Sequence, residues 1–399
     1  MPASPALRRE QINLQVALIY SLCHVKGYGA ETTAAVERAN LLIEQAVALG
    51  EPPEDPLQLF LVLQGFWEVN LYASNSYLCR DLAERILALA EKQKALVPLL
   101  IGQTDLAISL FYLGAIAQSR KHCDQALTLY DPVEHYSLAM GFRVSTLGIR
   151  SRALWILGYP KGGLADAEDA ISSARATDQA PTLLLALTHI EKFYLFLRNY
   201  AATNAALDEL GALAGEKGAS AWKTAEITGR GRLMALTGKP AEAIQVLTPG
   251  LADAAQRSTG TTLNHAFNLF CLAHAHAELG QFDEAWRCIG EAMTTMEKTK
   301  EKWCEAEVYR TAGEVALKSP EPDPAKAETY FERALTVARD QQAKSWELRA
   351  AMSMARLWRD QGRPEQAREL LAPIFGWFTE GFDTLDLKEA KALLDTLAE

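Results

Sequence analysis

The sequence has few features of an oxidised, secreted or membrane-inserted protein. Its six cysteines form no Cys-x-x-Cys pair and lie in apolar stretches, as expected of reduced thiols buried in a core. The first ten residues contain no apolar run, which argues against a signal peptide. The most apolar window, 96–117, has Gln103, Thr104 and Asp105 near its centre, which argues against a membrane span. We therefore expect a cytoplasmic protein with no membrane partner.

Positive charge is also scarce. The chain has 40 Lys and Arg residues against 50 Asp and Glu residues, a formal net charge of −10. Phosphate backbones bind basic surfaces, so this balance argues against a nucleic acid partner. The sequence lacks the Gly-x-x-x-x-Gly-Lys-Ser/Thr pattern that binds nucleotide phosphates, and no strand-like alternation of apolar and polar residues persists. We predict a helical protein that has no cofactor.

The sequence does contain a repeat of about 40 residues. In the unit around Ala273, Gly280 follows seven residues later and Ala285 follows five residues after that. Small residues allow two helices to approach closely, and Gly can adopt the left-handed conformation that ends a helix. A residue suited to a helix start comes two positions after the Gly; in four repeats it is Pro160, Pro240, Phe282 or Pro364.

This repeat predicts the fold class. Its spacings of 40 to 44 residues, with a first hairpin at about 8–49, give nine helical hairpins. We predict an all-α, right-handed solenoid similar to tetratricopeptide repeat (TPR) proteins over 8–380, after a disordered tail at 1–7 and before a capping helix at 381–399. Trp222, Trp303 and Trp346 are predicted to fill gaps between adjacent hairpins. The repeated position is occupied by Trp67, Ala107, Ser151, Glu191, Gly231, Ala273, Gly313 and Ala355.

The C-terminal segment is unusually apolar for a chain end. Trp377, Phe378 and Phe382 precede an amphipathic helix that begins after Asp383 and Thr384. Because the last hairpin of a solenoid must cover its apolar face, we predict that this segment is a lid, with Asp383 or Thr384 as the helix N-cap. The predicted inner face comprises Leu387, Ala390, Leu393, Leu394 and Leu397.

Several stretches resemble one protein family. "LGQFDEAWRCIGEAM", "SPEPDPAKAETYFERAL" and "AKSWELRAAMSMARLWRDQG" resemble the C-terminal TPR region of bacterial, rhizobial-type signalling proteins that combine an adenylate/guanylate cyclase domain, an AAA-type ATPase domain and a TPR array. The resemblance covers nearly the whole chain. It implies an accessory role in signal transduction, in which the array recognises a partner or ligand and relays it to a cyclase or ATPase. No catalytic residue of those domains matches this sequence, so we predict no enzyme activity.

The residue after each small position is expected to line the concave surface. In hairpins four to seven this residue is basic, although the chain is acidic, and aromatic residues are expected beside it. Such a groove would bind a protein or peptide partner, such as an acidic peptide, or an anionic small ligand. Alternatively, the long side chains pair with neighbouring carboxylates. The predicted groove comprises Arg152, Trp155, Lys192, Phe196, Arg232, Phe267, Phe270 and His274.

One helix face carries residue types that bind metals. Cys271, His274 and Glu278 share one helix face and could offer three ligands. We predict instead that His274 lines the groove or is satisfied in the core, and that the chain has no metal site.

Three functional interpretations follow. The first is a non-catalytic TPR-type interaction and regulatory module of a bacterial signalling system that binds a protein or peptide in its concave groove. The second is a small-ligand sensor that controls a cyclase or ATPase effector. The third is that the chain is called an adenylate cyclase because of its family, although it lacks the catalytic domain. An open groove would favour the first, and a deep closed pocket the second.

Overall fold

All regular elements in the described part of the chain are helices. The structure, a computed structural model, describes residues 4–25, 29–50, 57–130, 138–257 and 263–398. The helices are α1 Pro5–Val25, α2 Ala30–Ala48, α3 Leu57–Tyr72, α4 Ser76–Gln93, α5 Leu96–Tyr112, α6 Ile116–Leu129, α7 Leu138–Ile156, α8 Pro160–Ala176, α9 Ala180–Phe196, α10 Tyr200–Glu216, α11 Ser220–Leu236, α12 Pro240–Arg257, α13 His265–Glu278, α14 Phe282–Thr299, α15 Glu305–Lys318, α16 Pro324–Asp340, α17 Lys344–Asp360, α18 Pro364–Gly376 and α19 Leu385–Thr396.

These helices form nine consecutive hairpins, α1/α2 to α17/α18, followed by the single helix α19. The predicted all-α, TPR-like solenoid with nine hairpins and a C-terminal helix is therefore confirmed. The predicted tail at 1–7 lies partly outside the described residues, and α1 already begins at Pro5.

The Gly, Pro and small residues of the repeat end, start and pack the helices as predicted. The five Gly residues seven positions after the small position all have positive φ, between 73° and 93° (Gly114, Gly158, Gly238, Gly280 and Gly362). Helices α8, α12, α14 and α18 begin at the residues predicted to start them. At Gly313 an added Cβ would lie 2.4 Å from the Phe331 ring, so only Gly allows α15 to approach α16 this closely.

The solenoid closes on itself after five hairpins. The end of α5 contacts the start of hairpin eight, where the Lys302 N–H donates to the Tyr112 carbonyl at 2.7 Å. The end of α7 contacts hairpin nine in the same way, through the Ser345 hydroxyl and the Trp155 carbonyl. The end of α9 contacts α19 through Arg198, and α1 contacts α11. Each hairpin in these pairs therefore meets the hairpin five positions later, across a boundary that we call the seam.

The axis of this superhelix is filled by aromatic side chains. Trp303 is fully buried, with ring centroids 5.6 Å from Phe111, 5.6 Å from Phe196 and 5.3 Å from Phe267. Trp346 lies 4.6 Å from Trp155 by the same measure. These tryptophans thus join successive turns of the superhelix, in addition to neighbouring hairpins.

The C-terminal helix covers hairpin nine. Leu387, Ala390, Leu393 and Leu397 are buried in the same core cluster as residues of α17 and α18, and Leu394 packs against it half-buried. Thr384 is the N-cap residue of α19, but its hydroxyl donates to the Gly381 carbonyl at 2.6 Å and makes no capping bond to the helix. The capping prediction was therefore right in position and wrong in the hydrogen bond.

Candidate functional site

The predicted basic series lies inside the molecule. The exposed fractions of Arg152, Lys192 and Arg232 are 1%, 7% and 3%. The seam and the aromatic axis cover these side chains, so they do not face an open groove. This differs from the predicted groove, because the residue after the small position points towards an axis that the closed superhelix fills.

The buried carboxylate of Glu191 forms ion pairs with two of these cations. Glu191, 1% exposed, lies 2.7 Å from Arg232 Nη2 and 2.9 Å from Lys192 Nζ. Arg232 also donates to Asn268 Oδ1 at 3.0 Å. Arg232 and Lys192 therefore pair with a neighbouring carboxylate, as the alternative interpretation of the sequence predicts.

Arg152 has a different set of partners. Its Nε donates to the Gly148 carbonyl at 3.3 Å, its Nη2 lies 3.1 Å from His189 Nδ1, and its guanidinium lies 4.8 Å from the Phe111 ring centroid. Burial, with Arg152 and then Lys192 adding to it, holds the pKa of His189 well below its usual value. The ring is therefore neutral and can accept the hydrogen bond from Arg152.

Burial lowers the pKa of Lys192 to about 8; Glu191 opposes this effect, and Arg232 and Arg152 add to it. A lysine with this pKa loses its proton near neutral pH more readily than a surface lysine. At pH 7 Lys192 is still mostly protonated, and the Glu191 carboxylate compensates its buried charge.

The open part of the interior lies at the C-terminal end of the axis. A cavity of about 240 Å³, which we call the interior pocket, lies between α9, α11, α13, α15, α17 and α19. Its lining residues are Leu195, Phe196, Arg198, Tyr200, Leu236, Phe267, Phe270, His274, Glu307, Arg310, Thr311, Glu314, Trp346, Arg349, Met352, Ser353, Arg356, Asp386 and Glu389.

The charges of the interior pocket are balanced. It contains four arginines (Arg198, Arg310, Arg349 and Arg356) and four carboxylates (Glu307, Glu314, Asp386 and Glu389). Arg310 pairs with Glu314 and, at 2.7 Å, with Glu307; Arg198 pairs with Glu389 at 2.8 Å, and Arg349 pairs with Asp386 at 2.8 Å. Burial pushes the pKa of Glu307 upward, but Arg310 and Arg349 outweigh it and hold the pKa below its usual value. Glu307 is therefore ionised at neutral pH, and no charge in the pocket lacks an opposite neighbour.

The structure divides the predicted site residues into two groups. Phe196, Phe267, Phe270 and His274 line the interior pocket, where burial lowers the pKa of His274 and favours its neutral form. The other four predicted residues, Arg152, Trp155, Lys192 and Arg232, lie in the buried core beside it. As a binding site, the set of eight residues therefore stays a prediction, and geometry supports only the first group.

Most of the charged lining of the interior pocket was not predicted from the sequence. Arg310 and Glu307 lie three and six residues before the small residue Gly313, in the register of Phe270 and Phe267 before Ala273. Arg349 lies six residues before Ala355 in the same way. These side chains lie on the same face of α15 and α17, one turn further towards the N-terminus. Extending the sequence pattern by that turn would have identified them.

One lining residue departs from the repeat in its backbone. Arg198 occupies the position where five hairpins have Gly, and its φ is 57°. A non-Gly residue in the left-handed region costs about 1–2 kcal/mol, which contacts of its side chain can offset. Arg198 donates to Glu389 Oε1 at 2.8 Å and to Asp386 Oδ1 at 3.4 Å on α19. The exception thus marks a residue that joins hairpin five to the C-terminal helix.

Within the described residues, no group of three or more His, Cys, Asp and Glu side chains is arranged to hold a metal ion. Across the same residues, no helix has the length and apolar character that a membrane span requires.

Comparison with known proteins places the fold. No family model matches this sequence, and no curated protein matches it. Among solved structures it is similar to a Rap protein complexed with competence and sporulation factor, with a TM-score of 0.62 and 10% identity over 97% of this chain and 99% of that one. It is also similar to the Rap conjugation gene regulator of the plasmid pLS20 in complex with the Phr* peptide, with a TM-score of 0.54 and 10% identity over 99% of this chain and 97% of that one. A third similar structure is the APC/C hetero-tetramer Cut9–Hcn1, with a TM-score of 0.54 and 13% identity over 97% and 76% of the two chains. At these identities the similarity establishes the fold alone, a TPR-like helical repeat.

Proposed function

We propose that this chain is a non-catalytic, TPR-type regulatory module of a cytoplasmic bacterial signalling system, and that its interior pocket binds a short segment of a peptide or protein partner. The observation that carries the proposal is the composition of that pocket. An aromatic wall formed by Phe196, Phe267 and Phe270 lies beside four arginines and four carboxylates. The sequence resemblance to cyclase–ATPase–TPR proteins supports a cyclase or ATPase as the effector.

A peptide suits this composition for a physical reason. It presents apolar side chains together with backbone donors and acceptors and charges of both signs. The pocket can exchange its internal pairs for pairs with such a ligand without leaving a buried charge uncompensated, which would cost several kcal/mol. Two of the structures with a similar fold are of Rap proteins bound to a factor or a peptide, which supports this ligand class.

The test uses two arginines of α17 whose side chains are similarly exposed and each pair with one carboxylate, Arg356 with Glu389 and Arg359 with Asp360. The side chains of Arg356 and Arg359 are 42% and 41% exposed, but only Arg356 lines the interior pocket. Peptides are selected from a random heptapeptide library on the wild-type protein, and their affinities are measured by fluorescence anisotropy. We expect Arg356→Glu to weaken binding at least about tenfold and Arg359→Glu to leave it within about twofold. Failure to select any peptide, or equal loss in both variants, would overturn the proposal.

A small-ligand sensor is the second candidate, and the volume of the pocket favours it. Sites for drug-sized ligands usually enclose about 300–1,000 Å³, whereas the closed superhelix leaves about 240 Å³. A small metabolite fits without opening the seam, whereas a peptide of several residues requires the turns to separate. Small-angle X-ray scattering with and without a bound peptide therefore distinguishes the candidates. An unchanged radius of gyration, together with thermal stabilisation by free amino acids or dicarboxylates, favours the sensor.

A further inference from the structure

A second concave surface lies outside the superhelix, across the seam. This groove has a volume of about 390 Å³ and lies between the start of α8, the α9–α10 turn and the segment that leads into α19. We call it the seam groove. Its lining comprises Pro160, Lys161, Leu164, Leu197, Arg198, Asn199, Gly381, Asp383, Thr384, Leu385 and Lys388. Arg198 is the one residue that it shares with the interior pocket among their described linings.

The seam groove exists only because the superhelix is closed. Its two sides are more than 180 residues apart in sequence and are held together by Glu380, whose Oε1 accepts from the Lys161 N–H at 2.7 Å and from the Gly162 N–H at 3.3 Å. Gly381 packs directly against the Pro160 ring, so closely that a Cβ at Gly381 would lie 2.2 Å from it. Opening of the turn would separate these walls, so a partner that binds here recognises the closed state.

The charge of the seam groove is opposite to that of the protein. It contains three cations, Lys161, Arg198 and Lys388, and one carboxylate, Asp383, in a chain of net charge −10. Arg198 is held from the inner side by Asp386 and Glu389. Lys161 and Lys388 are exposed, and within the described residues neither ammonium group has an ion pair or hydrogen bond. Two ammonium groups are therefore free to bind carboxylates of a partner.

Apolar side chains lie between these cations. Leu164 and Leu197 are half-buried, and Leu385 is 38% exposed. Phe382, the neighbour of Gly381, is 50% exposed on the same segment. Exposed apolar groups beside unpaired cations are typical of sites that take an amphipathic segment rather than a free ion.

We infer that the seam groove docks an acidic segment of a partner protein, with carboxylates on Lys161 and Lys388 and an apolar side chain between Leu164, Leu197 and Leu385. This site is separate from the interior pocket of the proposed function. Because Arg198 contributes to both, a ligand that draws Arg198, Asp386 or Glu389 inward changes the groove that the partner binds. The affinity for the partner therefore depends on whether the seam is closed.

The experiment uses a fluorescein-labelled probe peptide, Glu-Glu-Leu-Glu-Glu-Leu, and measures its anisotropy with the full chain at low and moderate salt. We expect saturable binding that weakens as salt rises, because exposed charge pairs are screened within about 10 Å at 0.1 M salt. The double variant Lys161→Gln/Lys388→Gln should bind the probe about tenfold more weakly. The matched control, Lys121→Gln/Lys298→Gln, removes two exposed lysines elsewhere and should bind as the wild type does.

Two further probes separate docking from attraction between opposite charges. Lys-Lys-Leu-Lys-Lys-Leu should not bind, and Glu-Glu-Gly-Glu-Glu-Gly should bind at least about fivefold more weakly than the leucine probe, because it lacks the apolar contact. Equal binding of the leucine and glycine probes, equal loss in both double variants, or no binding to the wild type would overturn the inference. Lys161→Gln/Lys388→Gln leaves the lining of the interior pocket unchanged and should bind the selected heptapeptides as the wild type does, so failure of this inference and failure of the proposed function give different results.

Discussion

Single residues that break the repeat mark the places where the turns of the superhelix meet. Ser74 and Arg198 stand where the repeat has Gly, and both have positive φ. Ser74 lies next to the Glu301 carboxylate from hairpin eight, and Arg198 binds α19. A side chain at such a position carries a backbone cost that Gly would avoid. At Ser74 and Arg198 the side chain adds a seam contact, whereas at Gly114 and Gly158 the backbone itself lies against the elements across the seam.

Glu301 provides a test of the seam at the residue scale. Burial raises its pKa to about 7, although it accepts hydrogen bonds from Trp303 Nε1 at 2.9 Å and from the Asn264 N–H at 3.0 Å. The unfolded chain releases this proton near pH 4.5. Between pH 4.5 and 7 only the folded state keeps the proton, so the stability of the fold falls as pH rises through this window.

We therefore predict that Glu301→Gln removes most of this fall in stability. At 1.36 kcal/mol per pKa unit, the penalty that the variant escapes above pH 7 is at most roughly 3 kcal/mol. Urea unfolding at about pH 5 and about pH 8 measures it, and Glu297→Gln, which changes an exposed carboxylate four residues earlier, is the control. If Glu301→Gln keeps the pH dependence of the wild type, Glu301 is not the group responsible.

The helical hairpin is the element that the repeat encodes most directly. In hairpin eight, Asp323 accepts from the Lys326 N–H at 2.9 Å as N-cap of α16, Pro324 is the first helical residue, and Gly313 allows the two helices to touch. Each signal acts within a few residues or between the two helices of one hairpin. Hairpin boundaries could therefore be read from the sequence without knowledge of the rest of the fold.

Helix α19 tests the prediction of a lid. Deletion of 381–399 should expose the hairpin-nine surface that Leu387, Ala390, Leu393 and Leu397 now cover. We expect a Tm lower by at least about 5 °C and aggregation that increases with concentration. Differential scanning fluorimetry and light scattering measure both effects.

A milder pair of variants covers the case in which the truncated chain does not fold. Leu387 is 2% exposed and Leu385 is 38% exposed on the same helix. Leu387→Ala should destabilise the protein by about 2–5 kcal/mol, and Leu385→Ala by less than about 1 kcal/mol. A soluble truncated protein as stable as the wild type would show that α19 is not a lid.

At the scale of the whole molecule, the angle between successive hairpins decides where a ligand can bind. Contacts between hairpins five positions apart close the turn and fill the axis with Phe111, Phe196, Phe267, Trp303 and Trp346. A wider superhelix with the same sequence register would leave Arg152, Lys192 and Arg232 on an open concave face. The observed superhelix buries them and leaves the interior pocket near α19.

This closure predicts different effects for two tryptophans. Trp346 contacts Trp155 across the seam, whereas Trp286 contacts Tyr330 of the adjacent hairpin. Trp346→Ala should both destabilise the protein, by about 3–5 kcal/mol, and increase its radius of gyration in small-angle X-ray scattering. Trp286→Ala should lower stability with little change in radius. An unchanged radius in Trp346→Ala would show that the axial aromatic residues do not hold the turns together.

The hairpins, their number and their register follow from sequence patterns alone. Gly and Pro at helix ends, small residues at helix crossings and the amphipathic C-terminal helix are local signals. They can therefore be recognised in the sequence. Three features appear only in the folded molecule: five hairpins complete a turn, the seam and the aromatic axis bury the basic series, and the pocket and groove form beside Arg198. They depend on the small rotation that each hairpin interface adds, which is set by the packing of many side chains. The sum of these rotations, which no local pattern records, determines which side chains meet across the axis.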